Sequence, residues 1–472
     1  MVEPLWESQV QDVVFAINNK KTGNLSDPGT GKTAPSNVFM YYLWKQLGIK
    51  TVFVMPKKLF RQNKKSFEKY SEFDEGDIVI VRGTPAQRKK LMQGNGKVFL
   101  VTFSFFNSRA KGSMSDYQYL KQHQPAVDAC VVDEIHMGFG NIQSQRTVNW
   151  VQAMRKTQYM LALTGTLIDG KLSSTYPFIH VVEPRYYFNY ADFLNQHAEL
   201  DTWGSPQFWI NRDKVKAILD KHTVRHTFAE IHGEENVVII LETVEMEPKH
   251  RSIYKKFIDT DSLELEGEIK QMSSGGETAL RARQMLQCPE TFGYEGIDLG
   301  KDEFILRHMI DASENSKATI IFSTFIDEQK RILKLAQQEG VYARILNGDT
   351  TQKEAEAIDS EMLSRKLNIV IGSPACMSVG FDWNHLSSVV FSSIDYKDSN
   401  FAQGYRRGIR GKRKTSLAVY VLYYENSVDA RIALNVEKKM LLSKDMQEGK
   451  KVTELITRKS RKQTNKLEAL WG

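Results

Sequence analysis

Short, continuous apolar runs punctuate the chain, and polar stretches separate them. In the first half they read TVFVM (51–55), VFLV (98–101), ACVV (129–132) and YMLAL (159–163). In the second half they read ATIIFS (318–323), LNIVI (367–371), SSVVFS (387–392) and LAVYVLYY (417–424). A strand covered on both faces needs apolar residues at successive positions, not alternate ones. These runs therefore predict parallel strands buried between helices. Two such sets predict an α/β fold of two lobes, each a mainly parallel sheet flanked by helices. Between the sets lies an aromatic, helical stretch, YPFIHVVEPRYYFNYADFLNQHAELDTWG, expected as a small helical insertion of the first lobe. The expected organisation is a first lobe over 1–175, its accessory segment over 176–250, a second lobe over 251–442 and a basic C-terminal extension over 443–472. The glycine-rich run GYEGIDLGKD (293–302) is expected to help connect the lobes.

Composition narrows the class. The 472 residues are 41% hydrophobic and 26% charged, which fits a globular protein of two or three domains. A net charge of +7 admits a polyanionic partner without requiring one. Cys130, Cys288 and Cys376 are far apart and form no C-x-x-C pair. That disfavours a zinc site or a disulfide framework and fits a reducing compartment. No apolar run reaches the roughly 18 residues that span a bilayer, and the opening MVEPLWESQVQD has no signal-peptide pattern. A cytoplasmic location is expected.

The first candidate chemistry lies in LSDPGTGKTAP (25–35). Glycines let a backbone turn tightly and bring its N–H groups to an anion, and a helix starting near Thr33 adds its positive end. Lys32 can reach the β- and γ-phosphates, and the Thr33 hydroxyl can ligate Mg²⁺. Ser26 stands where the usual G-x-x-x-x-G-K-[ST] pattern has its first glycine. Taken alone, the run also fits a glycine-rich turn before an ordinary helix. A nucleotide loop needs a strand before it, a helix after it and a distant acidic partner.

CVVDEIHMGFG (130–140) offers that partner. Asp133 and Glu134 follow an apolar strand, and strand ends are where open α/β sheets bind ligands. Asp133 can hold Mg²⁺, directly or through water. Glu134 can orient and deprotonate an attacking water, and His136 can link this site onward. An isolated acidic turn is the plainer reading, and the upstream loop argues against it. In FAQGYRRGIRGKRK (401–414), Gln403, Arg407 and Arg410 are spaced by four and three, so one helical face can carry all three. Phosphoryl transfer needs cations at the γ-phosphate, which arginines supply. A basic surface helix is the alternative.

In this order the motifs resemble helicase superfamily 2, and within it the Swi/Snf-like ATPases, over about residues 3–440. LWESQVQDVVFAI is similar to the adenine-side segment, with Gln9 in its glutamine position. NLSDPGTGKT resembles motif I, with Pro28, Gly29, Thr30, Gly31, Lys32 and Thr33 around the phosphates. VFVMPKKLFRQN and LVTFSFF resemble motifs Ia and Ib. DEIH is motif II in its DExH form, and LTGT (163–166) is similar to motif III. RARQMLQCPE resembles the helix after the inter-lobe region, TIIFSTF motif IV, GSPACMSVGFDW motif V and QGYRRGIR motif VI. The resemblance implies two RecA-like lobes with ATP and Mg²⁺ as cofactors. It implies catalytic roles for Lys32, Asp133, Glu134, Arg407 and Arg410, and nucleotide contacts from Gly380 and Asp382. It also implies coupling roles for His136, Thr164, Thr166 and Gln403, and backbone grips on nucleic acid by Lys57, Thr102 and Ser373.

Beyond Ser26, the chain departs from the pattern in two further places. Motif III continues as Leu167-Ile168-Asp169-Gly170 rather than a Pro-Leu-Gln-Asn-like run. Motif V has Met377 and Ser378 for the usual glycine pair, and Asp382 where Asn is common. The expected activity is an ATP-dependent translocase on double-stranded DNA, largely indifferent to sequence, with branch migration or fork remodelling as its specific form. A strand-separating DNA or RNA helicase and a non-motor nucleotide-dependent binding protein are the competing readings. The compact chain resembles phage or prokaryotic members, so a bacterial or phage-host cytoplasm is expected rather than a nucleus.

Overall fold

The first strand of the first sheet has almost no apolar character: β1 (Lys21–Asn24), of sequence KTGN. After it come β2 (Lys50–Val54), β3 (Ile78–Ile80), β4 (Val98–Val101), β5 (Val127–Asp133) and β6 (Tyr159–Leu163). A hairpin of β7 (Ala198–Leu200) and β8 (Pro206–Trp209) stands apart, and β9 (Thr223–Val224) completes the set. The computed structural model describes residues 3–27, 29–108, 113–165, 167, 172–201, 204, 206–232, 237–265, 268–272, 274–377, 381, 383–394, 401, 404–405, 416–434 and 456–458. The sheet runs β3-β4-β2-β5-β6-β1-β9, and every pairing in it is parallel.

β1 forms because neighbours take both its edges, β6 on one side and β9 on the other. A side chain on Gly23 would crowd Thr223 and Phe178, so close packing favours glycine there. The apolar runs behave as expected. Val52, Val54, Phe99, Val101, Cys130, Val132, Met160 and Ala162 are buried in one core. Trp150 is fully buried and stacks on Phe139, with ring centroids 4.8 Å apart.

The second sheet starts earlier than expected. The chain divides into two units at 234/235, not at 250/251. The run VVIILETV forms β10 (Val237–Val244) and pairs along its whole length with the last long strand of the second unit. Its four successive β-branched residues, Val237 to Ile240, are the sequence signal for this. The hairpin β11 (Ser262–Leu265) and β12 (Glu268–Gln271) follows, then β13 (Ala318–Phe322), β14 (Ala343–Leu346), β15 (Ile369–Gly372), β16 (Leu386–Phe391) and β17 (Leu417–Tyr424). The glycine-rich run 293–302 lies inside this unit and does not connect the two. In the basic tail, β18 (Ile456–Arg458) adds to β10, which would otherwise present an unpaired edge. The order is β14-β15-β13-β16-β17-β10-β18, again all parallel.

Two buried polar knots brace this second sheet. Lys301, 1% exposed, donates from Nζ to Asp429 Oδ2 (2.5 Å) and to the Ser392 carbonyl (2.7 Å), against the Tyr424 ring. Glu328 is fully buried and accepts hydrogen bonds from Ser323, Ser392 and Ser393, which follow β13 and β16.

Candidate nucleotide site

The loop after β1 has the strand before it and the helix after it that a phosphate loop needs. The helices are α1 (Glu7–Asn19) and α2 (Thr33–Leu47). Pro35 sits in the first turn of α2, where a backbone N–H has no intrahelical partner to lose. Gly29 and Gly31 take φ of 90° and 80°, the left-handed region that glycine adopts without strain. Gln9 of α1 donates from Nε2 to the Gly31 carbonyl (3.2 Å), and its Oε1 accepts the Trp6 N–H (3.0 Å). A Cβ on Gly31 would lie 2.6 Å from that Nε2, so the glutamine and the glycine fit each other. Lys32 Nζ donates to the carbonyls of Ser26 (2.6 Å) and Asp27 (2.9 Å). Thr30 Oγ1 donates to the same Asp27 carbonyl (2.7 Å).

Asp133 ends β5, two strands from β1, at the same edge of the sheet. Desolvation and the neighbouring Glu134 charge push its carboxyl well above the usual carboxylate range, while Lys32 pulls it back. Glu134 adopts φ 53° and ψ 53°, a left-handed conformation uncommon outside glycine and typical of functional turns. Its Oε2 is buried without a hydrogen-bond partner, 3.5 Å from His136 Nδ1. His136 Nδ1 also lies 2.8 Å from Thr164 Oγ1, just past β6. Lys57 and Thr102 follow the adjacent strands β2 and β4 and so stand on this edge too. Lys57 is exposed, and the half-buried Thr102 shares a 2.8 Å hydroxyl contact with Ser104.

In the second unit, Ser373 follows β15 at its C-terminal end, and its Oγ accepts the Cys376 N–H (3.2 Å). Pro28, Thr166, Gly380, Asp382, Gln403, Arg407 and Arg410 lie outside the described residues. Of the aromatic residues in the accessory segment, Tyr187 is buried, with its hydroxyl 2.7 Å from His197 Nε2. That is core packing, whereas the neighbouring Phe188 is 90% exposed. Burial pushes the Cys288 thiol up to about 12, as suits a small apolar core residue, while Cys376 is only half-buried.

Sequence reading missed a ring of residues behind the loop: Asp12, Asn24, Asp27, Arg225 and His226. No local pattern marks them: Asp12 and Asn24 bond across 12 positions, and His226 and Arg225 reach Asp12, Ser26 and Asp27 from some 200 positions away. Among the described residues no group of three or more His, Cys, Asp or Glu side chains can hold a metal ion alone. Mg²⁺ carried with a nucleotide needs only one or two protein oxygens beside the phosphates and waters. The Thr33 hydroxyl and the Asp133 carboxylate fit that requirement, and the unpartnered Glu134 oxygen fits an adjacent water.

An all-parallel sheet whose one edge carries a glycine-turned lysine loop and an acid pair defines a nucleotide-binding α/β protein. The chain belongs to the SNF2-related family: the SNF2-related domain matches residues 13–291, and the helicase conserved C-terminal domain matches 300–412. An uncharacterized ATP-dependent helicase of Mycoplasma pneumoniae is 23% identical over 93% of this chain and 42% of its own length. A chromodomain-helicase-DNA-binding protein 3 homolog of Caenorhabditis elegans is 22% identical over 88% of this chain and 25% of its own. The chain thus spans less than half the length of these curated relatives. Among solved structures, the Sulfolobus solfataricus SWI2/SNF2 ATPase core in complex with dsDNA is 18% identical, with a TM-score of 0.41 over 94% of this chain and 93% of that one.

Proposed function

We propose that the protein is an ATP-dependent motor that binds Mg²⁺–ATP at Lys32, Thr33 and Asp133, and translocates along duplex DNA. One observation carries the reading: the lysine loop, the acid pair, the His136–Thr164 contact, Lys57 and Thr102 all leave the same edge of one sheet. Nucleotide chemistry and two of the proposed nucleic-acid grips, Lys57 and Thr102, would then share one sheet. Family membership supports ATP as the fuel, as does a relative named an ATP-dependent helicase. A relative named as DNA-binding supports DNA as the track. Contacts through Lys57, Thr102 and Ser373 would go to phosphates, which makes binding largely independent of sequence. Arg407 and Arg410 would supply charge to the γ-phosphate as it transfers. Branch migration or fork remodelling is the finer form of this activity.

The test is ATPase rate with no nucleic acid, single-stranded DNA, duplex DNA, duplex RNA, a fork and a four-way junction. Duplex DNA is expected to stimulate turnover, and forks or junctions to raise it further. Stimulation by single strands or RNA alone would replace the duplex translocase with a strand-separating helicase. The Mycoplasma pneumoniae relative is named a helicase, which favours that second reading.

A further inference from the structure

The turn that carries Lys32 is held from behind by the last segment of the first unit. Leu25 N–H donates to the Val224 carbonyl and Asp27 N–H to the His226 carbonyl, both at 2.9 Å. His226 N–H returns a bond to Ser26 Oγ (2.9 Å), and Phe228 N–H donates to Asp27 Oδ2 (3.1 Å). Arg225 stands 3.6 Å from Asp27 Oδ1. Beneath the turn lies Asp12 of α1, 7% exposed. Its Oδ2 accepts Asn24 Nδ2 (2.8 Å), and its Oδ1 meets His226 Nε2 (2.8 Å). Asn24 Oδ1 then accepts the Ser26 N–H (3.0 Å). The carbonyls of Ser26 and Asp27 are the ones that receive Lys32 Nζ.

One buried carboxylate therefore fixes both the strand that feeds the loop and the segment beside it. Burying it is costly: desolvation raises its pKa, and the His226 and Asn24 contacts offset only part of the rise. An apolar side chain would hold α1 to the sheet at less cost. It would not set the direction of Asn24, nor the two carbonyls that hold the lysine.

We propose that Asp12, Asn24 and His226 are positioning residues for the nucleotide. They hold the Ser26–Asp27 turn so that the Lys32 amine waits at the phosphate position. They also tie that turn to the segment 223–228, after which the chain passes into the second unit at Glu235. The proposal rests on the reading that this loop takes ATP.

The experiment uses the full chain at pH 8, with ATP as the probe in calorimetry and in steady-state turnover. Asn24→Asp sets two carboxylates against each other across the 2.8 Å contact. It is expected to raise the ATP Kd and KM about tenfold, with kcat at saturating ATP changed by less than about twofold. The double variant Asp12→Asn with Asn24→Asp exchanges donor and acceptor, so that the 12–24 bond forms again and the amide oxygen introduced at position 12 can accept from His226. It should return the KM to within about threefold of the parent. His226→Ala, a half-exposed change that leaves the buried pair intact, should raise the KM about threefold. A purely structural role predicts a lower Tm with unaltered KM in Asn24→Asp and His226→Ala, and that result would overturn the proposal. So would a raised KM that the double variant does not restore. If the parent binds no ATP in a Lys32-dependent way, the nucleotide reading of the loop itself fails. Lys32-dependent binding indifferent to all three variants sinks only the positioning role.

Discussion

His136 and Thr164 meet at the ends of neighbouring strands, with Nδ1 of one 2.8 Å from Oγ1 of the other. β5 and β6 run in parallel register up to this point, Asp133 opposite Leu163. The Thr164 backbone N–H also donates to the Asn24 carbonyl at 3.1 Å. One residue thus touches both the acid-pair turn and the strand that feeds the lysine loop. Thr164→Val keeps the shape and removes the hydroxyl. It is expected to leave ATP binding intact and to lower DNA-stimulated turnover about tenfold, with a much smaller effect on basal turnover. ATPase assays with and without duplex DNA check this, and equal losses in both would argue against a coupling role.

Glu134 has a buried oxygen with no partner beside the candidate metal position. Glu134→Gln should bind ATP with near-parental affinity while turnover falls by about 10²- to 10⁴-fold, the usual range for losing a general base. Lys32→Ala should instead lose affinity as well. Calorimetry beside single-turnover hydrolysis separates the two effects.

Asp133 titrates above the ordinary carboxylate range because desolvation and Glu134 disfavour its charge. Below about pH 4 both folded and unfolded states hold the proton, and the site contributes its full stability. As pH rises through the raised folded value, that contribution is lost. Asp133→Asn removes the titration, so the nucleotide-free variant should be more heat-stable than the parent at about pH 8 and equal to it near pH 4. Thermal scans across that range decide it. The same variant should lose Mg²⁺-dependent ATP binding, which measures the carboxylate's use.

Lys301 and Asp429 pair out of solvent in the second unit, and Asp429 Oδ1 is already without a partner. Lys301→Met would leave a buried carboxylate uncompensated, at a cost of about 3–5 kcal/mol. Adding Asp429→Leu should recover most of that loss. The urea transition of the second unit is the readout, and an additive double variant would mean the pair is not coupled.

The eight apolar runs are legible as strands because a parallel sheet buries both faces and leaves a continuous apolar string. The lysine loop and the acid pair are legible because their chemistry is local. β1 is not, since KTGN becomes a strand only when β6 and β9 flank it. The division at 234/235 escapes a sequence reading although VVIILETV carries a strand pattern, because helical and aromatic neighbours draw that segment to the first lobe. Asp12 and His226 are invisible for a different reason. Each reads as an ordinary polar residue until the fold sets them 2.8 Å apart.

The pairing of β10 with β17 has a consequence for synthesis. Thr243 and Tyr423 bond across it although 180 residues separate them. At about 5–20 residues per second, a ribosome needs roughly 10–40 s to cover that interval. The first sheet has all its strands once residue 224 emerges. The opening strand of the second must wait through that interval with an open edge, so a nascent chain stalled before β17 is the form of this protein most exposed to chaperones and to aggregation.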